Sequence, residues 1–524
     1  MKTDGHTPWL ALLLVAVVGA AALGRPVLPI DETRYAGVAW EMMQAGEFLV
    51  PMQNGAPYSH KPPLLFWMLQ AGWSVFGVSD WWPRVVPALF AAASVALIAR
   101  LARTLWPQRP GIAALAPTVL ASCMLWTYFV GAVMFDMMLV FFVLLGWLGL
   151  AQAWRGALSR GFLLFALGLG GGLMTKGPVA LLHLLPAALF APWWAHAPRP
   201  RWRRWYLAVL LGVAGGAALV LAWAVPAGIA GGDDYQRAIF WGQTSGRMTE
   251  SFAHRRPIWY YLPFLPLILA PWPLWPRLWR ASRHLAWREP GVRFALVAAL
   301  VPLLGFSLIS GKQSQYLLPE FAAFALLAAF ALDAAPAARV QRWPLAVPAA
   351  ALGLAGLATA LFSASVVRSM GAHEHRLLVV AVGAFVVLAA ATLLWRPPAD
   401  AAGQARRLAF AMVASMCAAH LASPALLREA YDMGPVSQRI RALQEADVPV
   451  AHVGKYHGQY HFPGRLRRPI EVVPEGGFDA WLAAHPEGRA IVYFRGEAYR
   501  GPGEVEYTQA YRGQRLAIVS SGRR

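Results

Sequence analysis

Long apolar runs separated by short polar gaps fill most of the chain. Each run holds roughly 20 residues, enough for a helix to cross a hydrocarbon layer of about 30 Å. Counted in order, the runs predict about 13 crossings. They are Trp9–Ile30, Val85–Trp106, Ile112–Val130, Asp136–Trp154, Phe162–Thr175, Pro178–Trp194 and Tyr206–Val225. Ile258–Trp275, Phe294–Ile309, Leu317–Leu332, Leu345–Val367, Leu377–Trp395 and Leu408–Leu427 complete the set. The gaps differ in kind. Arg199, Arg201, Arg203 and Arg204 form one knot, and Arg277, Arg280, Arg283, Arg288 and Arg293 form another. Arginine-rich loops on alternate gaps mark the cytoplasmic side. That orientation puts the N-terminus inside, the stretches 31–84 and 226–257 outside, and the tail 428–524 outside.

Shorter patterns sit between the runs. In the first outer stretch Tyr35, Val38 and Met42 fall at i, i+3 and i+7, the apolar stripe of a helix lying at the membrane surface. Asn54-Gly55 marks a turn, and Pro62-Pro63 precede a second surface helix over roughly Leu64 to Phe76. The tail reads differently. Val436, Ile440 and Leu443 predict an amphipathic helix, while Val448–Val453, Ile470–Val473, Ala490–Phe494 and Leu516–Val519 read as short strands. A membrane domain over 1–427 followed by a small α/β domain over 428–524 is expected.

Composition agrees with a polytopic helical membrane protein: 58% of residues are hydrophobic and only 14% charged, against about 25% charged in a soluble domain. The net charge of +20 is carried by the inner-loop arginines, so no nucleic-acid partner is expected. Cys123 and Cys417 lie inside apolar runs, which argues for packing rather than a disulfide.

Chemistry collects on one side. Asp31, Glu32, His60, Lys61, Asp136, Lys176, His254, Arg255, Arg256, Lys312 and Tyr316 all fall in outer stretches or at the outer ends of spans. Charges at a bilayer edge are costly unless they face water or each other, so this segregation predicts an outward-facing polar cavity. Carboxylates there can take a proton from an attacking hydroxyl, and cations can hold a phosphate leaving group. Transfer from a lipid-linked phosphate donor fits this set. A transporter or flippase for an anionic or lipid-linked solute would need similar residues.

The motifs narrow the choice. Asp31-Glu32-x-Arg34-Tyr35 and Asn54-Gly55-x-x-Tyr58-x-His60-Lys61-Pro62-Pro63-Leu64-x-x-Trp67 resemble the first outer loop of the aminoarabinose (4-amino-4-deoxy-L-arabinose) transferases. These are glycosyltransferases of the GT-C fold, related to the protein O-mannosyltransferases. The likeness continues through Phe135-Asp136, Thr175-Lys176-Gly177-Pro178, Ala253-His254-x-x-Pro257-x-Trp259-Tyr260-Tyr261 and Lys312-x-x-x-Tyr316-x-x-Pro319.

The resemblance implies an inverting transfer of a sugar from a polyprenyl (undecaprenyl) phosphate to a membrane-embedded acceptor such as lipid A. The setting would be the periplasmic face of a bacterial inner membrane. A protein or another glycan as acceptor, as in the O-mannosyltransferases, is the alternative. Asp31 matches the base or activator of the acceptor, and Asp136 its helper. Lys61, Lys312 and Tyr316 match donor-phosphate positions, with Lys176, Arg255 and Arg256 as further cations. His254 matches a metal-binding histidine. The well-known members carry Glu before the Lys-Pro where this chain has His60, so a zinc ion held there would have His60 and His254 as ligands.

Overall fold

The computed structural model describes residues 7–196, 199–242, 256–336 and 345–522. Helices dominate. They open with α1 (Thr7–Ala22), α2 (Asp31–Ala45), α3 (Leu64–Phe76), α4 (Trp82–Leu105), α5 (Pro110–Ala121), α6 (Met124–Phe129), α7 (Asp136–Trp154) and α8 (Leu158–Lys176). Between α2 and α3 a two-stranded hairpin, β1 (Met52–Gln53) and β2 (Ala56–Pro57), turns at Asn54 and Gly55. Both turn residues have positive φ, 54° and 75°, the backbone that Asn-Gly adopts most readily in a two-residue hairpin.

Every apolar run of the sequence has become helical. Among the described residues, eight helices are long and apolar enough to cross a membrane, and a ninth span is the pair Ala346–Leu361 and Ser363–Met370, bent by 66°. The runs expected near Trp9, Ile112, Pro178 and Ile258 instead appear as shorter helices. Pro117, Pro186 and Pro266 stand inside three of these, and each proline removes one backbone donor and crowds the turn before it. So 13 continuous spans are not found by length and apolarity; eight or nine are, with short helices at the other four positions.

A further correction concerns the stretch 226–257. The helix that begins at Trp202 does not stop at Val225 but runs to Arg237, with a break at Gly232 (φ 82°). Its C-terminal end packs against the stretch 31–84: Trp223 donates its indole N–H to the Leu49 carbonyl at 2.8 Å, and Trp223, Ala227 and Tyr235 bury against Val50 and Met174. Glu250, His254 and Arg255 lie outside the described residues.

Two pieces of packing position the site. The first is the α7–α8 hairpin. Its helices touch through glycine: a Cβ on Gly149 would lie 2.4 Å from the Gly161 carbonyl, and one on Gly168 would lie 2.6 Å from the Phe142 carbonyl. In lipid, such close backbone approach is a main source of helix association. The second is the surface pair α2–α3, which buries Tyr35, Val38, Met42, Phe66 and Leu69 with Phe135 in one apolar cluster.

The tail forms a five-stranded sheet in the order β4-β3-β5-β7-β6. Its strands are β3 (Val450–Val453), β4 (Glu471–Val473), β5 (Arg489–Phe494), β6 (Glu504–Tyr511) and β7 (Gln514–Ser520). The first three run parallel to one another, and β7 and β6 add antiparallel. The helix Gly434–Glu445 covers one face through Val436 and Ile440. The strand β6 was not anticipated, because EVEYTQAY carries Glu504 and Glu506 on an exposed edge and lacks a continuous apolar face.

Candidate active site

Asp31 is the first residue of α2, and its side chain is 45% exposed. Arg34, one turn on, forms an ion pair with it. The guanidinium of Arg34 also lies 5.4 Å from the centre of the Tyr35 ring.

The neighbouring carboxylate, Glu32, points the other way and is buried. It takes a hydrogen bond from Arg25 at 2.6 Å and one from Arg84 at 3.2 Å. The backbone N–H groups of Leu28 and Val133 complete its shell at 2.9 and 3.2 Å. Burial alone would raise its pKa. The two guanidiniums and the two N–H groups outweigh that and hold it below the ordinary carboxylate value. Pairing of Glu32 with Arg34, the local choice, does not occur; Arg34 takes Asp31. Arg84 also donates to the carbonyls of Arg25 and Gly131 at 2.9 Å each. One buried knot therefore ties the end of the first span, the start of α2, the start of α4 and the 131–133 turn. That turn leads directly to Asp136, so Glu32 sets the relation between the two candidate carboxylates.

Asp136 opens α7 and is only 2% exposed. Its partner is Lys176, the last residue of α8, with Nζ to Oδ1 2.6 Å. The two helices have equal length, and their short connection places Asp136 and Lys176 level at the same end. The Lys176 ammonium also lies 4.9 Å from the Tyr316 ring centre. On the other side, the Lys61 ammonium sits 5.6 Å from the Phe135 ring. Phe135 contacts Tyr35 edge-on at 4.8 Å and Phe66 at 5.6 Å. Burial, followed by the charges of Asp31 and Asp136 among others, raises the Tyr35 phenol well above its ordinary pKa. Asp31, Asp136, Lys61, Lys176 and Tyr316 are thus gathered around one aromatic patch.

Other candidates are placed differently. Lys312 is 3% exposed, and its ammonium donates to the carbonyls of Arg256 (3.0 Å) and Ile309. With the Arg256 N–H donating to the Ser310 carbonyl, this cation ties the segment at Arg256 to the one at Ile309 and Ser310. The Arg256 guanidinium lies 5.8 Å from the Tyr260 ring. His60 is exposed, 5.3 Å from the Tyr58 ring centre. His254 and Arg255 fall outside the described residues. Among the described residues no three His, Cys, Asp or Glu side chains converge as a metal site. His254, one of the two expected zinc ligands, is not among them, and no step below passes through a metal.

Residues that sequence reasoning did not name also shape the site. Arg25, inside the first apolar run, and Arg84, at the end of the stretch 31–84, are the two that hold Glu32. The C-terminal domain reaches α2 as well: the Trp40 indole donates to the Leu466 carbonyl at 2.8 Å, and Asn54 exchanges two hydrogen bonds with the Ile470 backbone at 2.9 and 2.8 Å.

Residues 60–227 match the family described as dolichyl-phosphate-mannose-protein mannosyltransferase. An undecaprenyl phosphate-alpha-4-amino-4-deoxy-L-arabinose arabinosyl transferase of Enterobacter sp. (strain 638) is 32% identical over 309 residues, covering 57% of this chain and 54% of that protein. Its counterpart from Pseudomonas aeruginosa (strain UCBPP-PA14) is 34% identical over 309 residues, covering 58% and 55%. The chain thus spans about half the length of the curated relatives it matches. The fold likeness extends further. ArnT from Cupriavidus metallidurans bound to undecaprenyl phosphate superimposes with a TM-score of 0.76 at 19% identity, over 97% of both chains. Its apo form gives 0.78 at 20% identity, over 99% of both.

Proposed function

We propose that this multi-pass membrane protein, aminoarabinose-transferase-like in sequence and of the GT-C fold, moves a sugar from a polyprenyl phosphate to a membrane-associated acceptor such as lipid A. The reaction runs at the periplasmic face of a bacterial inner membrane, with the N-terminus in the cytoplasm and the sheet domain outside. The single observation that carries this reading is the pairing of roles around Tyr35 and Phe135. One carboxylate, Asp31, is open to solvent; the other, Asp136, is buried and bound to Lys176.

The chemistry follows from that division. Asp31 accepts the proton of the acceptor oxygen as that oxygen attacks the anomeric carbon. The bond from the anomeric carbon to the phosphate oxygen breaks as the new bond forms on the opposite face, so the configuration inverts. Lys61 and Lys176 offset the charge that grows on the departing polyprenyl phosphate. Asp136 holds the Lys176 ammonium at the site through the 2.6 Å pair. Glu32, Arg25 and Arg84 act as positioning residues beneath α2. For catalysis to begin, Asp31 exchanges Arg34 for the acceptor, an exchange its exposure permits.

The test is transfer by the purified, reconstituted protein from a panel of undecaprenyl-phosphate sugars to lipid A. The wild type should form product, and Asp31→Asn should lose at least about a hundredfold in kcat with an unchanged melting temperature. Retention of full transfer by Asp31→Asn would refute the assignment. The mannosyltransferase match over residues 60–227 favours one second reading, a hexosyl transfer to protein. Mass analysis of lipid A and of surface proteins from a deletion strain separates the two.

A further inference from the structure

Asp31, Arg34, Gly37 and Glu41 follow at intervals of three or four along α2 and therefore share one face. Residues 458–461 of the C-terminal domain meet that face. At the far end, Glu41 Oε1 lies 3.6 Å from His461 Nε2. In the middle, a Cβ on Gly37 would lie 3.0 Å from the Gly458 carbonyl oxygen, so at this point backbone meets backbone. His457 is the residue before Gly458 at this contact, on the α2 face that carries Arg34 and Asp31 one and two turns toward the N-terminus.

The segment is held firmly. Gly458 has φ 74°, and the His457 backbone N–H donates to Gln459 Oε1 at 2.9 Å. Gln459 is in turn anchored to the Tyr493 hydroxyl at 2.7 Å. Trp73 stacks on Phe462 at 5.0 Å, fastening the same segment to α3. His457 itself is half-buried. Among the described residues no side chain hydrogen-bonds its ring. Burial first, then Arg34 and Lys455, push its pKa down to about 4. At neutral pH such an imidazole offers one N–H donor and one bare nitrogen acceptor.

We propose that His457, set against the Asp31 face of α2 by the Gly37–Gly458 contact, hydrogen-bonds the acceptor and so determines which acceptor the transferase takes. The inference rests on the transferase reading above. The side of the reaction follows from in-line geometry. The leaving phosphate belongs with Lys61 and Lys176, and the incoming oxygen belongs with Asp31 on the opposite face of the sugar. A residue that the C-terminal domain sets on the Asp31 face of α2 stands on the incoming side. Its hydrogen-bonding capacity suits a polar group next to the attacking oxygen.

The experiment measures KM for lipid A and for the undecaprenyl-phosphate sugar separately, on the full-length reconstituted protein. His457→Ala and His457→Phe should each raise the lipid A KM about tenfold, with the donor KM unchanged. His457→Phe keeps a ring of similar bulk, so it carries the test if His457→Ala melts early. His457→Gln, which restores one donor and one acceptor, should recover most of the loss. An unchanged lipid A KM in both His457→Ala and His457→Phe, or an equal rise in the donor KM, overturns the assignment. A wild type inactive with every donor would instead sink the transferase reading, a result distinguishable from either.

Discussion

Glu32 has four donors within 3.2 Å, in a region where an unpaired charge is expensive. Taking away its charge leaves Arg25 and Arg84 buried without a counter-ion. Breaking a buried pair in this way costs about 3–5 kcal/mol. Glu32→Gln should therefore lower the melting temperature in detergent markedly, and transfer should fall with it because the frame under Asp31 loosens. The pH dependence has a definite sign. The pKa of Glu32 in the folded protein lies below its ordinary 4.5, so its contribution is complete above that value and is lost as pH falls through the lowered one. Lys176→Gln makes the complementary test. It leaves Asp136, 2% exposed, without its cation, and should cost stability of about the same size as well as kcat. Normal kcat in Lys176→Gln would mean that this ammonium holds the structure and nothing more.

The α7–α8 hairpin is where one element sets another's chemistry. Its two helices bring Asp136 and Lys176 level because both count back the same number of residues from one tight connection. The contact that keeps them together lies at Gly149 and Gly161, about 20 Å along the helix from the ion pair. Gly149→Val places a branched side chain where a Cβ already meets a carbonyl oxygen at 2.4 Å. Neither backbone can yield without parting the helices. The expected result is an activity loss of more than about tenfold in a variant that never touches substrate, read by transfer assay and thermal unfolding. A fully active Gly149→Val would show that the hairpin tolerates separation.

Across the molecule, the sheet domain docks on α2 and α3 through polar and aromatic contacts rather than through a large apolar face. Two of its histidines respond to acid. Burial foremost pushes both His452 and His457 down to about 4, from an ordinary 6.5. Between those values the unfolded chain binds more protons than the folded one. Stability from these groups is therefore complete above about pH 6.5 and declines as pH falls toward 4. Limited proteolysis should cut the domain more readily at pH 5 than at pH 7.5. His452→Phe, which removes a fully buried titrating ring, should narrow that difference. Equal cleavage at the two values would argue against the shift.

How much of this could be read from the chain depends on the range of the interaction. The spans, the two surface helices and the Asn54-Gly55 turn were legible because hydrocarbon admits only internally bonded backbone and because turn chemistry is local. Asp31, Asp136, Lys61 and Lys176 could be nominated because charge is rare beside apolar runs. The level placement of Asp136 and Lys176 was also there to be counted in the two helix lengths. What escaped was every choice made between distant partners. Glu32 passed over Arg34 for Arg84, 52 positions away. Lys312 turned to the carbonyls of Arg256 and Ile309, the helix through Pro226 carried on to pack on Leu49 and Val50, and the segment at Gly458 came to lie against α2. One-dimensional order states which groups must avoid lipid. Only the folded arrangement selects their partners, because a buried charge settles with whichever counter-charge and backbone donors the packing brings within about 3 Å.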